Sequence, residues 1–213
     1  MTCVGTDSLP SHELPFGRIL PAGFFARPSD KVARELIGKV LWRRGVGGGR
    51  LTEVEAYLPK DDPACHAARG MTKRNAPMFG PAGHIYVYRS YGVHILLNLV
   101  CDEESVGSAV LIRSFEPMGD TDRLRCNRGE IATAKALSCG PGRVGQALAL
   151  YMGLNSLSLG ETSGVYIIDD GESPPVRCTT RIGISQGGEL PLRYLMAGSG
   201  YLSGQGRTNG GGR

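Results

Sequence analysis

The stretch Leu51-Thr52-Glu53-Val54-Glu55-Ala56-Tyr57 alternates side-chain character with the period of two that marks a β-strand. Alternation places Leu51, Glu53, Glu55 and Tyr57 on one face and Thr52, Val54 and Ala56 on the other. Two carboxylates and a phenol then share a face. A solvated edge strand accounts for this as readily as a functional site does. Three features downstream favour a site: His66, the run Tyr86-Val87-Tyr88-Arg89-Ser90-Tyr91, and Arg113 at the end of an apolar run. The expectation is that they converge on Glu55.

Upstream, residues 1–23 are rich in Pro, Gly and Ser and read as a loosely ordered lead-in. Ser29 or Asp30 caps a helix running to about Ile37, with Val32, Ala33, Leu36 and Ile37 at helical spacing and Gly38 as its stop. Lys39 to Arg44 reads as a strand, and the glycine run 45–49 as a flexible hairpin loop. That run is no phosphate loop, because it lacks GxxxxGK[ST] and no helix follows.

Downstream, residues 58–84 carry prolines at 59, 63, 77 and 81 and read as a long irregular loop. It holds His66, Arg69, Lys73, Arg74 and Asn75, a basic cluster that suits either a solvated surface or phosphate contacts. Ile85 to Tyr88 reads as a strand with Tyr86 and Tyr88 opposite Ile85 and Val87. A turn at Tyr91-Gly92 leads to a returning strand from His94 to Val100. Ala109 to Phe115 is a further strand, with Leu111, Arg113 and Phe115 on one face. Four or five strands so close together, mostly joined by short turns, favour an antiparallel sheet or partial barrel. Ile131 to Leu137 is helix-prone, and Pro141 suits the first turn of a helix from about Gly142 to Met152. Val165 to Ile168, Arg181 to Ile184 and Tyr194 to Ala197 are candidate strands.

Composition bounds the function. A chain of 213 residues with 41% hydrophobic residues buries a real core as one domain. No apolar run approaches a membrane span, and no secretory signal opens the sequence. The six cysteines show no CxxC spacing, which fits a reduced cytoplasm better than a disulfide scaffold. The net charge of +4 mildly favours an anionic partner. The four histidines lack HExxH spacing, so no metal or other cofactor is expected. What remains is a carboxylate, several rings, one His and one Arg. An ordinary Glu, with a pKa of about 4.3, is ionised near neutral pH and can act as general base toward water. Rings beside such a base suit a planar, electron-poor substrate.

These residues carry a resemblance. Val32 to Leu41, Glu53-Val54-Glu55-Ala56-Tyr57-Leu58, Asp62-Pro63-Ala64-Cys65-His66 and Arg74-Asn75-Ala76-Pro77-Met78-Phe79 resemble the alkyladenine (3-methyladenine) DNA glycosylase family. Tyr86 to Gly92, Ala109 to Arg113, Cys139-Gly140-Pro141-Gly142, Arg181-Ile182-Gly183-Ile184 and Pro191-Leu192-Arg193-Tyr194 continue the likeness, over about residues 18–203. The resemblance implies an α+β domain with a curved, mostly antiparallel sheet, a partial barrel like the formyltransferase C-terminal domain, and a protruding β-hairpin. It implies a glycosylase domain at 18–203, which composition flanks with a loosely ordered lead-in at 1–17 and a flexible Gly-rich tail at 204–213.

The implied activity is base excision repair. A damaged purine (3-methyladenine, 7-methylguanine, hypoxanthine or ethenoadenine) is flipped out of duplex DNA and its N-glycosidic bond hydrolysed, without strand cleavage. Residue by residue, the resemblance implies Glu55 as general base and Arg113 as the group holding base and water. Tyr57, His66 and Tyr88 match rings around the flipped base, Asn98 a position that crowds normal guanine, and Tyr91 a wedge in the minor groove. Lys73 and Arg74 are candidate backbone contacts. Glu53 is then the non-catalytic carboxylate, structural or solvent-facing. Arg89, Ser90 and His94 depart from residues common near the wedge. A bacterial, cytoplasmic monomer working at the nucleoid, away from membranes, is the implied setting. The alternative is a non-catalytic module that binds lesions or single strands by stacking, which has no need of a water-activating carboxylate.

Overall fold

The structure, a computed structural model, describes residues 14–15, 17–129 and 133–204. The chain runs through β1 (Arg18–Ile19), α1 (Ala22–Phe25), α2 (Ser29–Leu36), β2 (Val40–Arg43), β3 (Gly47–Tyr57), β4 (Ile85–Ser90), β5 (His94–Cys101) and β6 (Ser108–Met118). It continues through α3 (Asp122–Asn127), α4 (Ala134–Ser138), α5 (Pro141–Ala147), β7 (Val165–Asp169), β8 (Val176–Thr179) and β9 (Arg193–Met196). The strands form one antiparallel sheet in the order β1-β7-β2-β3-β6-β5-β4, with β9 also on β3 and β8 on β9. The sheet curls into a half-barrel, and the molecule is an α+β domain as the sequence led us to expect. No helix among the described residues is long and apolar enough to cross a membrane.

Strand β3 is the hinge of the architecture. Its first half pairs with β2 and its second half with β9, while β6 runs along its other edge throughout. At the changeover the register slips twice. Leu51 faces Phe115, Glu53 faces Ser114 and Val54 faces Ile112, so Thr52 is an extra residue in β3 and Arg113 an extra one in β6. The two bulges cancel, and pairing resumes in step at Glu55 opposite Leu111. The consequence corrects the simple alternation. Leu51 and Phe115 lie in the main core with Val54, Ala56, Val110 and Ile112, while Glu53, Glu55 and Tyr57 remain together on the other side. The apolar pattern changes phase between Leu51 and Val54, and again between Ile112 and Phe115, and this was the available signal.

Helix α2 packs Val32, Ala33 and Leu36 into that core, and α5 does the same with Val144 and Ala147. Ser29 is the first helical residue rather than the cap, and its hydroxyl donates to the Tyr57 carbonyl. The stop at Gly38 holds, with φ at +92°. Three further readings are corrected. Gly47 to Gly49 belong to β3 and not to a loop, paired with Arg43, Trp42 and Leu41, and at Gly48 a Cβ would lie 1.9 Å from the Leu41 carbonyl oxygen. The helix from Pro141 ends at Ala147, since Ala149 turns to φ +47° and the chain leaves the helical path. Residues 181–184 form an irregular, bent segment rather than a strand. Within the expected lead-in, Arg18–Ile19 pairs with β7 and Ala22–Phe25 is helical. Residues 1–13 and 205–213 lie outside the described residues.

Candidate active site

The pocket is built by alternation on four adjacent strands. On β4 and β5, Ile85, Val87, Leu97 and Leu99 enter the main core. Their neighbours Tyr86, Tyr88, Leu96 and Asn98 face the opposite way and line a cavity of about 670 Å³. Tyr57 from β3 and Leu111 and Arg113 from β6 join that wall. The long loop after β3 supplies His66 and Arg74, and residues 140–143 at the start of α5 close another side. Helix α5 comes this close because Gly145 sits against the Ile95 carbonyl, where a Cβ would be 1.9 Å from the oxygen. The volume is in the range of a small-molecule site.

The rings are organised by contact. The His66 ring meets Tyr88 edge to face at 4.6 Å, and its Nδ1 is 2.9 Å from the Tyr86 hydroxyl. Tyr86 and Tyr88 lie 5.6 Å apart. His66 as a residue is exposed, yet its ring nitrogen is tucked against the two tyrosines. Burial there, and secondarily the Arg74 charge, lower its pKa, so the neutral imidazole prevails at neutral pH. Arg74 lies over the Tyr88 ring at 5.6 Å, which makes it part of the pocket wall. Lys73 is exposed and outside the wall. Asn98 is buried, donating its amide to the Tyr86 carbonyl at 3.1 Å. Tyr91 stands 89% exposed at the tip of the β4–β5 hairpin. The tip is held by Val93 N–H donating to the Ser90 carbonyl, with positive φ at Tyr91 and Gly92.

Both carboxylates are fully buried. Glu53 is saturated: Oε1 accepts from Arg113 Nε and Arg193 Nε at 2.8 Å each and from Ser203 Oγ at 2.7 Å, and Oε2 accepts from the Ser203 N–H. The solvent-facing option for Glu53 is thereby excluded. Glu55 is held more sparsely. Oε2 accepts from the Tyr57 hydroxyl and from Arg113 Nη1, each at 3.0 Å, while Oε1 accepts, among the described residues, the Ile182 N–H alone. Glu55 does not itself form the pocket surface. Tyr57, Arg113 and Ile182, which bond to it, line the cavity. Burial, with the Glu55 charge second, raises the Tyr57 pKa and keeps the phenol a donor. Burial alone would lower the Arg113 pKa, but Glu55 and Glu53 more than offset it and hold it above its ordinary value.

Sequence reasoning overlooked several participants. Arg181 makes a buried bidentate pair with Asp62 at 2.6 and 2.7 Å and lies over the Tyr57 ring at 4.7 Å. It anchors residues 182–184 on the pocket wall. Read as a strand residue, it offered no cue to that pairing, since Asp62 is 119 positions away. Arg193 and Ser203 likewise reach Glu53 from far along the chain. Among the described residues the wall carries Arg74, Arg89, Arg113, Arg128 and Arg143 and no Asp or Glu. No group of three or more metal-ligating side chains occurs among the described residues.

A half-barrel cavity with clustered rings, a wall of arginines and a buried pair of carboxylates behind it suits a flat, anion-bearing substrate. Comparison with known proteins sharpens this. Residues 23–200 match the model of the family described as Methylpurine-DNA glycosylase (MPG). A protein of Methanoculleus marisnigri is 44% identical over 192 residues, covering 86% of this chain and 98% of its own length. One of Rhizobium meliloti is 46% identical over 180 residues, 84% and 94% of the two chains, and one of Burkholderia lata 42% identical over 191, covering 88% and 92%. All three bear the name "Putative 3-methyladenine DNA glycosylase". The chain belongs to the methylpurine-DNA glycosylase family. It is a monofunctional DNA glycosylase, a hydrolase that acts on DNA in repair.

Proposed function

We propose that this protein flips damaged purines (3-methyladenine, 7-methylguanine, hypoxanthine and ethenoadenine) out of duplex DNA and hydrolyses their N-glycosidic bonds with water activated by Glu55. The observation that carries the reading is the contrast between the two carboxylates. Glu53 has both oxygens committed to cations and Ser203, whereas Glu55 Oε1 has a single partner among the described residues, the Ile182 N–H, and lone-pair capacity to spare. Glu55 also sits directly behind Tyr57 at the pocket.

In the proposed reaction the C1′–N bond breaks and its electron pair leaves with the base. Water oxygen bonds to C1′ as its proton passes to Glu55. The carboxylate charge also favours the positive character that develops on the sugar. Arg113 holds Glu55 through Nη1 and lines the cavity where that water would stand. Tyr57, His66 and Tyr88 stack on the flipped base, and Asn98 at the buried end crowds the 2-amino group of normal guanine. Tyr91 wedges into the minor groove and fills the vacated space. Arg74 and Lys73 contact the backbone. Since Glu55 is closed off in the free protein, the Tyr57 hydroxyl or the Ile182 N–H must give way as substrate enters. The setting that goes with this reading is a monomer, one glycosylase domain over residues 18–203, in the bacterial cytoplasm at the nucleoid and without a membrane partner.

The test is a panel of duplexes each carrying one of these lesions, assayed for base release and alkali-labile abasic sites. Wild-type protein releases at least one of the bases, and Glu55→Gln abolishes release while still binding the lesion duplex. Full activity in Glu55→Gln with loss in Glu53→Gln would mean that the wrong carboxylate had been chosen.

A further inference from the structure

The interior of the half-barrel holds two carboxylates two residues apart on one strand, both without solvent contact. One guanidinium touches both: Arg113 gives Nε to Glu53 and Nη1 to Glu55. A single cation between two buried anions is shared, and each anion weakens its hold on the other's partner. The structure supplies a second cation on the far side. Arg193 stands opposite Glu55 in the β3–β9 ladder, yet its side chain turns to Glu53, with Nε on the same Oε1 that Arg113 uses. Its Nη2 donates to the Ser203 carbonyl, and Ser203 in turn caps Glu53 Oε2 through its N–H. Arg193 lies outside the wall of the substrate cavity.

From this we infer that Arg193 is a positioning residue: acting through Glu53, it fixes Arg113 on Glu55 and keeps the two buried carboxylates charge-balanced. The inference rests on the reading of Glu55 as the base. The chain of contacts is Arg193 to Glu53, Glu53 to Arg113, and Arg113 to Glu55, each link at 3.0 Å or less. With Arg193 in place, Glu53 is neutralised from behind and Arg113 is free to serve Glu55. Without it, the pair keeps one cation for two anions, and a proton on Glu55 becomes the easiest way to relieve the excess. Among the described residues, other ionisable groups that face this cluster are Tyr57, Tyr88 and Arg181 toward Glu55, and Cys139 toward Glu53. Among the described residues, the arginines that pair with Glu53 are Arg113 and Arg193.

The test is single-turnover cleavage of a hypoxanthine duplex from pH 5 to 9, on wild type, Arg193→Ala, Arg193→Lys and Glu53→Gln. Arg193→Ala moves the acidic limb to higher pH by about half a unit to one unit, a fraction of the effect of a directly paired cation. Arg193→Lys restores the limb, because charge is kept, but only part of the plateau rate, because the second bond to Ser203 is lost. Glu53→Gln removes a like charge and moves the limb the opposite way. A merely structural role would lower the rate equally at every pH. An unmoved limb in Arg193→Ala therefore overturns the inference. Should that variant fail to fold, an unmoved limb in Glu53→Gln overturns it instead. Cleavage retained in Glu55→Gln would sink the base assignment and this inference together. Cleavage lost in Glu55→Gln with unmoved limbs elsewhere sinks this inference alone.

Discussion

At the scale of single residues, burial and partner count separate groups that the sequence leaves equivalent. Glu53 and Glu55 have the same type, strand and face, but only Glu53 meets Arg193 and Ser203. His66 shows how a local environment sets a proton. Its pKa is depressed, chiefly by burial and then by Arg74. The unfolded chain, with an ordinary His pKa of about 6.5, therefore binds a proton at pH values where the folded chain does not. Stability from this residue is fully present above about pH 6.5 and is lost as pH falls from there through the lower folded-state pKa. Urea unfolding at a series of pH values should show that decline in the wild type and a shallower one in His66→Gln. Identical slopes would remove His66 from the account.

At the scale of elements, the paired bulges at Thr52 and Arg113 matter most. They let β3 change partners from β2 to β9 and leave Arg113 bonded to both glutamates. The glycines at the start of β3 serve the same packing. Gly48→Ala would force a methyl group against the Leu41 carbonyl and should cost about 3 kcal/mol, at the upper end of ordinary overpacking. A shift in the urea midpoint measures it, and a change below ~0.5 kcal/mol would show that the β2–β3 pair adjusts freely. The β4–β5 hairpin works as a separate device, with Tyr91 held out at its tip. Tyr91→Ala should weaken binding to a lesion duplex about tenfold, in the range of a lost stacking ring, while saturated single-turnover rates change less. Unchanged affinity would end the wedge assignment.

At the scale of the whole molecule, the modest net charge of +4 conceals a local concentration. Arg74, Arg89, Arg113, Arg128 and Arg143 line one cavity, without an acidic residue on its wall among the described residues. Such a patch binds a phosphate backbone with steep salt dependence. Arg143→Ala should weaken binding to damaged and undamaged duplexes alike and reduce the slope of log affinity against log salt by about one. A slope equal to that of the wild type would place Arg143 off the DNA path.

The sequence by itself determined the strands between Val40 and Phe115 apart from the glycine start of β3, the side on which Tyr86 and Tyr88 lie, the turn at Tyr91 and the stop at Gly38. Each follows from short-range chemistry: side-chain alternation, a left-handed turn, a residue without Cβ. Its resemblance to a known family also covered most of the chain. What the tertiary structure decided depends on partners distant in sequence. Leu51 and Phe115 change sides because β3 exchanges one neighbour for another, a fact of sheet order. Residues 181–184 leave the strand pattern because Arg181 is captured by Asp62. The glutamates of the opening stretch part company because Arg193 and Ser203, 140 and 150 positions from Glu53, arrive at only one of them. Local pattern specifies which way a side chain points, but only the closed sheet specifies what it meets there.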